Sequence, residues 1–312
     1  MRALTTNHSR RRFIQSAAAA LAAACLPMPL LATAKTAELM LKTIPSSGEK
    51  IPAVGMGSWI TFNVGDDMVG RENCINVLKA FFAGGGSLID SSPMYGSSEA
   101  VIGYCLEQLK RQNDCFSATK VWTPFQSSGV SQIKDSHLLW GVDQIDLFQI
   151  HNLVSWEKHM ETLQQMKQQG QLKYIGITTS HGRRHKDMET IMSTQPIDFV
   201  QLTYNVLDTE AEARLLPLAQ EKGIAVIVNR PFRRGDLFQR YDNKPLPAWA
   251  AEIDCHNWAQ YFLKFIISHP AVSCAIPATS QVAHMQENMA ALTGQQPDAA
   301  HRKRMQTYIS SL

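Results

Sequence analysis

The chain has 312 residues, 45% of them apolar and 18% charged, with no low-complexity tract. That composition excludes a disordered chain and is enough for one large globular domain with a full core. The formal net charge of +3 is local: without Arg2, Arg10, Arg11 and Arg12, which sit in an acid-free start, 26 basic residues face 27 acidic ones. Nucleic-acid binding therefore loses its compositional support.

In chain order, the first element is Ser9-Arg10-Arg11-Arg12-Phe13-Ile14-Gln15, followed by an alanine-rich apolar stretch from Ala17 to Leu31 and then Ala32-Thr33-Ala34. A charged start, a short apolar middle and small residues at the cut describe an export signal over residues 1–34, and the arginine pair before Phe13 resembles the twin-arginine type. A stretch this short, broken by Pro27 and Pro29, does not cross roughly 30 Å of hydrocarbon, so no stable membrane insertion is expected after processing. Cleavage is expected after Ala34, leaving residues 35–312 as one domain. The expected location is the bacterial periplasm, and the translocation machinery is an expected partner.

The sequence has six cysteines, of which Cys74, Cys105, Cys115, Cys255 and Cys274 follow the cut. None lies in a Cys-x-x-Cys or Cys/His ligand spacing, so no metal site is expected. An odd count leaves at least one thiol unpaired, and no disulfide pairing can be assigned.

Leu39 to Ile44 and Glu49 to Ile51 flank Pro45-Ser46-Ser47-Gly48, which reads as a hairpin closing one end of the domain. Short apolar runs then recur at 54–57, 87–90, 116–120, 145–150, 174–178, 199–202, 225–228 and 274–276. Between them lie segments with helical spacing at 72–83, 99–111, 130–140, 156–169, 186–192, 211–222, 257–268 and 281–292, with glycine stops at Gly84, Gly170 and Gly223. This alternation predicts an α/β fold, a (β/α)8 TIM barrel preceded by a β-hairpin. An open doubly wound sheet is the rival, but no glycine-rich dinucleotide fingerprint follows the first strands. The longest loop follows the seventh strand, from Arg230 to about Cys255, and reads as a lid or substrate collar.

Asp90, Tyr95, Lys120 and His151 lie at or just beyond the ends of three of these runs, so the barrel would bring them to one mouth. Singly, each is more often a cap, a packed ring or a satisfied core group. Their joint placement points to a proton-donating site.

These residues carry a resemblance to the aldo-keto reductase family. Asp90-Ser-Ser-Pro-Met-Tyr95-Gly is similar to its Asp-x-x-x-x-Tyr-Gly segment, Lys120-Val-Trp122 to its Lys-x-Trp segment, and Phe-Gln-Ile-His151 to its strand-end histidine. Further likeness runs through Val54 to Trp59, Ile175 to Thr179, Gln201 to Asn205 and Ile276 to Asn288, covering roughly residues 38–293. The resemblance implies reduction of a small aldehyde or ketone by hydride transfer from a nicotinamide cofactor, with Tyr95 as proton donor. Lys120 would lower the Tyr95 pKa, Asp90 would hold Lys120 charged, and His151 would orient the carbonyl.

It also implies that Thr178, Thr179 and Gln201 hold the nicotinamide carboxamide, that Thr279, Glu287 and Asn288 hold the adenosine end, and that Trp59 and Trp122 shape the substrate pocket. Departures occur after the seventh strand, where Asn229-Arg230-Pro231-Phe232 lacks the usual stacking ring, and Arg230 is expected to reach the pyrophosphate instead. Where phosphate-selective members are often basic, this chain has Ala278 and His284. NADP(H) is the expected cofactor, NAD(H) the alternative, with Arg233 or Arg234 able to compensate from the long loop. Arg183-Arg184-His185-Lys186 reads as a solvated loop or as a border to the cofactor's phosphates. Export implies a cofactor carried out already bound or a redox partner that recycles it. The competing function is a cofactor-binding sensor or interaction subunit with little turnover.

Overall fold

The computed structural model describes residues 38–312, a compact unit beginning at Glu38. The expected export signal and its expected cleavage position lie outside the described residues. Two short strands open the domain, β1 (Leu41–Thr43) and β2 (Lys50–Pro52), paired antiparallel with Lys42 opposite Ile51. Their turn is closed by Ile44 O, which accepts from Gly48 N at 2.9 Å, and Gly48 takes φ +80°, a conformation that suits a residue without Cβ.

Eight parallel strands follow: β3 (Met56–Gly57), β4 (Leu88–Asp90), β5 (Phe116–Val121), β6 (Ile145–His151), β7 (Leu172–Thr178), β8 (Phe199–Thr203), β9 (Ala225–Asn229) and β10 (Cys274–Ala275). They are hydrogen-bonded in sequence order, and a parallel bridge between Val54 and Ala275 joins the two ends into a barrel. The predicted barrel and hairpin are both present.

Helices cover the strands on the outside: α1 (Met68–Ala83), α2 (Ser98–Leu109), α3 (Gln126–Trp140), α4 (Trp156–Gln168), α5 (His185–Thr194), α6 (Leu215–Lys222), α7 (Asp236–Tyr241), α8 (Trp258–Ile267), α9 (Val282–Ala290) and α10 (Ala299–Ser311). Their ends follow local chemistry. Asp67 caps α1 by accepting from Val69 N at 3.1 Å, Asn257 caps α8 by accepting from Gln260 N at 2.9 Å, and Gly223 stops α6 in the left-handed conformation.

The structure adds order where the sequence reading expected loop. The segment after β9 contains a 3-10 turn at Arg233–Gly235, helix α7 and a second 3-10 stretch at Ala248–Ile253. Its far end is pinned by Lys264 of α8, which is fully buried and donates to Ile253 O, Thr293 O and Gln295 O at 2.8 to 2.9 Å. Helix α10, also absent from the sequence reading, docks through Arg302, which lies over the Phe265 ring and donates to Glu212 at 2.9 Å.

Side chains alternate across each strand, so every second residue points into the barrel. The lower interior is apolar, formed by Leu88, Phe116, Ala118, Leu147, Tyr174, Phe199, Ala225, Ile227 and Cys274, with Ile44 and Ile51 of the hairpin region in the same cluster. The next inward residues toward the C-terminal ends are Asp90, Lys120, Gln149, Thr178, Gln201 and Asn229. The same alternation that builds the core therefore delivers a polar layer above it. At that level Gly176 pairs with Gln149, and a Cβ on the glycine would come within 3.0 Å of the Gln149 Cγ and 3.1 Å of Phe199 O. Gly176 makes room for the polar layer.

Candidate active site

Lys120 ends up fully buried at the top of β5, facing the carboxylate at the end of β4. Its Nζ donates to Asp90 Oδ2 at 2.5 Å and to Ser91 O at 2.7 Å. Asp90 Oδ1 accepts from Gln149 Nε2 at 2.9 Å and Gln201 Nε2 at 2.8 Å, and Gln201 Nε2 also donates to Gln149 Oε1 at 3.1 Å. Burial presses the Lys120 ammonium toward deprotonation, but the facing Asp90 carboxylate leads a set of attractions that raise its pKa overall. The lysine stays charged in a place where an unpaired cation would not.

Tyr95 stands on the 3-10 turn Pro93–Tyr95 just beyond β4, held by Tyr95 N donating to Ser92 O at 2.9 Å. The Lys120 Nζ is 5.2 Å from its ring centroid and the His151 ring meets it edge-on at 5.9 Å. The four residues expected to converge do converge. One expectation is corrected: the Tyr95 pKa is raised, because loss of hydration outweighs the opposing pull of Lys120. The phenol therefore holds its proton, which is the state a donor needs.

His151 closes β6 and is 7% exposed. Burial, aided by the Lys120 charge, depresses its pKa to about 3, so the ring is neutral at ordinary pH. Its Nδ1 lies 3.0 Å from Ser92 Oγ, which also accepts from Met94 N at 3.2 Å. The serine hydroxyl can donate to Nδ1, and the tautomer that accepts this bond carries its hydrogen on Nε2, the nitrogen turned away from the serine.

Behind the lysine, on the outer face of β5, Glu99 of α2 accepts from Thr119 Oγ1 at 2.6 Å and Trp140 Nε1 at 2.9 Å. Burial raises the Glu99 pKa against those hydrogen bonds. This buried cluster locks Thr119, the neighbour of Lys120, to two helices.

A cavity of about 960 Å³ opens over the tetrad, lined by Asp90, Tyr95 and His151 together with Trp59, Met94, Thr178, Thr179, Gln201, Asn229 and Arg230. A second cavity of about 520 Å³ is lined by Thr279, Glu287, Asn288, His284 and Lys244, and shares Phe232, Phe238 and Ala278 with the first. Thr178, Thr179 and Gln201 line the first cavity, and Thr279, Glu287 and Asn288 line the second. Lys244, absent from the sequence reading, brings a positive charge to a second cavity that otherwise offers His256, His284 and the acids Asp242 and Glu287.

Several expected contacts are rearranged. Gln201 spends its amide N–H groups on Asp90 and Gln149, while its Oε1 accepts from Thr178 Oγ1 at 3.3 Å. Asn229 offers no ring, and its amide is tied to Thr179 O at 2.8 Å and to Thr203 Oγ1 at 2.7 Å. Arg230 binds His181 Nε2 through Nη1, while its buried Nε has no partner. Trp122 is corrected: it is 40% exposed and lines neither cavity, its backbone being held by Gln132.

Sequence reasoning missed Ser92 and Gln149. Gln149 was within reach, since it lies two positions before His151 on the same strand and so faces inward. Ser92 lies outside any strand, and no periodicity marks it. Among the described residues no group of three or more His, Cys, Asp or Glu could hold a metal ion.

The sequence model of the Aldo/keto reductase family matches residues 53–304. Methylglyoxal reductase YeaE of Escherichia coli K12 is 27% identical over 257 residues, covering 80% of this chain and 89% of that protein. Aldo-keto reductase YhdN of Bacillus subtilis is 25% identical over 213 residues, covering 62% of each. Among solved structures, an aldo-keto reductase of Bacillus halodurans in its holo form superposes with a TM-score of 0.72 at 22% identity, covering 86% of this chain and 96% of that one. A Klebsiella pneumoniae aldo/keto reductase in complex with NADP and acetate gives 0.71 at 22% identity, covering 85% and 94%. At these identities the structural likeness speaks for the shared fold.

Proposed function

We propose, for a chain that belongs to the aldo/keto reductase family, that it reduces a small aldehyde or ketone to an alcohol, with Tyr95 as proton donor and NADPH as the preferred hydride source. The observation that carries this reading is the buried Lys120–Asp90 pair beside the Tyr95 phenol.

The chemistry that a nicotinamide cofactor would supply here, when bound, is a hydride for the carbonyl carbon. As negative charge grows on the carbonyl oxygen, Tyr95 gives that oxygen its proton and is left as a phenolate beside the Lys120 ammonium. His151, neutral and carrying its hydrogen on Nε2, donates a hydrogen bond to the same oxygen and orients it. Asp90 keeps Lys120 protonated throughout, and Gln149 and Gln201 fix the carboxylate.

Thr178, Thr179, Gln201, Asn229 and Arg230 would hold the carboxamide and phosphate side of the cofactor, and Thr279, Glu287 and Asn288 would hold its adenosine end. Trp59 contributes the substrate-side wall. NADPH preference is supported by the NADP complex of the Klebsiella relative and by Lys244 in the second cavity. NADH is the alternative, favoured by Ala278 and His284.

The proposal extends to location. The arginine pair, the short apolar stretch and Ala32-Thr33-Ala34 support twin-arginine export to the periplasm, followed by cleavage after Ala34. The translocation machinery is then a partner, and either a carried cofactor or a redox partner must sustain turnover.

The test is direct: the protein starting at Lys35 is mixed with NADPH or NADH and methylglyoxal or propanal, and loss of cofactor absorbance is followed. Turnover abolished by Tyr95→Phe supports the reductase. Cofactor binding without turnover on any carbonyl substrate would instead support a sensor or interaction subunit.

A further inference from the structure

The reductase cavity has an unbalanced wall. Arg183, Arg184, Arg230 and Arg234 line it, and its single acid, Asp90, is already paired with Lys120. The acids near these loops are also taken: Asp187 by Arg184, Asp208 by Arg233, and Asp236 by Arg233 and Arg240. Among the described residues Arg183, Arg230 and Arg234 have no carboxylate partner.

Two of these three are held in place by something other than an acid. The Arg234 guanidinium lies 3.9 Å from the centroid of the Trp59 ring, so a side chain of the loop after β9 reaches one from the loop after β3. Arg230 is held by its Nη1 contact with His181, which leaves the buried Nε unpartnered. The three charges oppose one another, and the Arg230 pKa is lowered by burial, then by Arg234, Arg233 and Arg183 against the pull of Asp208.

The backbone pays locally for this arrangement. His181, Arg184, Arg230, Arg233 and Arg234 all have positive φ, between 48° and 66°, the left-handed region that side chains with a Cβ rarely adopt. Strain and like-charge crowding thus fall on the same two loops, at the rim of the cavity that holds Tyr95 and His151.

We infer that Arg183 and Arg234 of this rim bind an acidic group of the substrate, so that the enzyme prefers a carbonyl compound bearing a carboxylate or phosphate over a neutral one. The inference rests on the reductase reading above. A planar guanidinium offers paired N–H donors to either oxyanion, and Trp59 holds one such donor at the substrate-side wall. Arg183 comes from the loop after β7, while the second cavity is lined from the β9 and β10 sides. Neither Arg183 nor Arg234 lines the second cavity, and both line the one that contains Tyr95 and His151.

The experiment compares kcat/KM for succinic semialdehyde and for propanal in wild type, Arg234→Ala and Arg183→Ala. The expected result is a wild-type preference for the acidic aldehyde that falls about tenfold or more in each variant, the size of one charge-assisted hydrogen bond. NADPH affinity, read by fluorescence, is measured alongside. An unchanged acid-to-neutral ratio with weakened NADPH binding would assign the arginines to the cofactor's phosphates and overturn the inference. Equal reduction of both aldehydes by wild type also overturns it while leaving the reductase reading standing.

A second measurement does not need turnover. Inorganic phosphate titrated into the NADPH-saturated protein should bind wild type and bind Arg234→Ala much more weakly, with the wild-type affinity falling as salt rises. No binding to the saturated wild type overturns the inference whether or not any aldehyde is reduced.

Discussion

Ser92 Oγ lies 3.0 Å from His151 Nδ1, and that contact decides which ring nitrogen faces the cavity. A hydroxyl that donates to Nδ1 favours the tautomer with its hydrogen on Nε2, whereas the other neutral tautomer presents no donor to a carbonyl oxygen. Ser92→Ala should lower kcat roughly tenfold, the worth of one hydrogen bond in the transition state. Nitrogen chemical shifts of His151 should show mixed tautomers in the variant and one tautomer in wild type. A single Nε2-protonated form in both would show that Ser92 does not set the ring.

Tyr95→Phe removes the transferable proton while keeping the ring that packs against His151. Turnover should fall about 10²- to 10⁴-fold, with NADPH affinity and melting temperature little changed. Near-wild-type reduction by the phenylalanine variant would mean that another group supplies the proton.

Asp90 and Lys120 form a pair that is 3% and 0% exposed at its side chains. Asp90→Ala should destabilise the fold by about 3 to 5 kcal/mol, because the buried ammonium loses its counter-charge. Combining Asp90→Asn with Lys120→Met should restore much of that stability in urea unfolding while leaving the enzyme inactive. Recovery of activity along with stability would remove the pair from the mechanism.

The depressed pKa of His151, about 3 against an ordinary 6.5, makes acid stability measurable. Between those two values the unfolded chain binds a proton that the folded chain refuses. Stability therefore rises with pH across this window and is lost on acidification from about 6.5 toward 3, at most about 1.4 kcal/mol per pH unit for one proton. His269, depressed to about 4, adds to the same trend. His151→Gln should flatten the dependence of melting temperature on pH between about 4 and 6, and an unchanged slope would place the titration elsewhere.

By itself the sequence determined the barrel, the hairpin and the tetrad. Strand alternation and helical spacing are local, and inward-facing positions at strand ends, such as Asp90 and Lys120, follow from the same alternation. Helix α10 and the order within 230–255 were not legible, because their stability comes from distant groups: Arg302 against Phe265 and Lys264 against three carbonyls. The side-chain partners that shape the chemistry were likewise decided only by the tertiary structure. Ser92 meets His151 across 59 positions, Gln201 meets Asp90 across 111, and Arg234 reaches Trp59 from the other half of the chain. Burial had the final say on charge: Lys120 favours ionisation of Tyr95, yet desolvation keeps the proton on the phenol. Trp122, next in its motif after the buried lysine, points to solvent. Spacing along a chain places residues on elements, whereas contact and desolvation arise only when those elements close around a common interior.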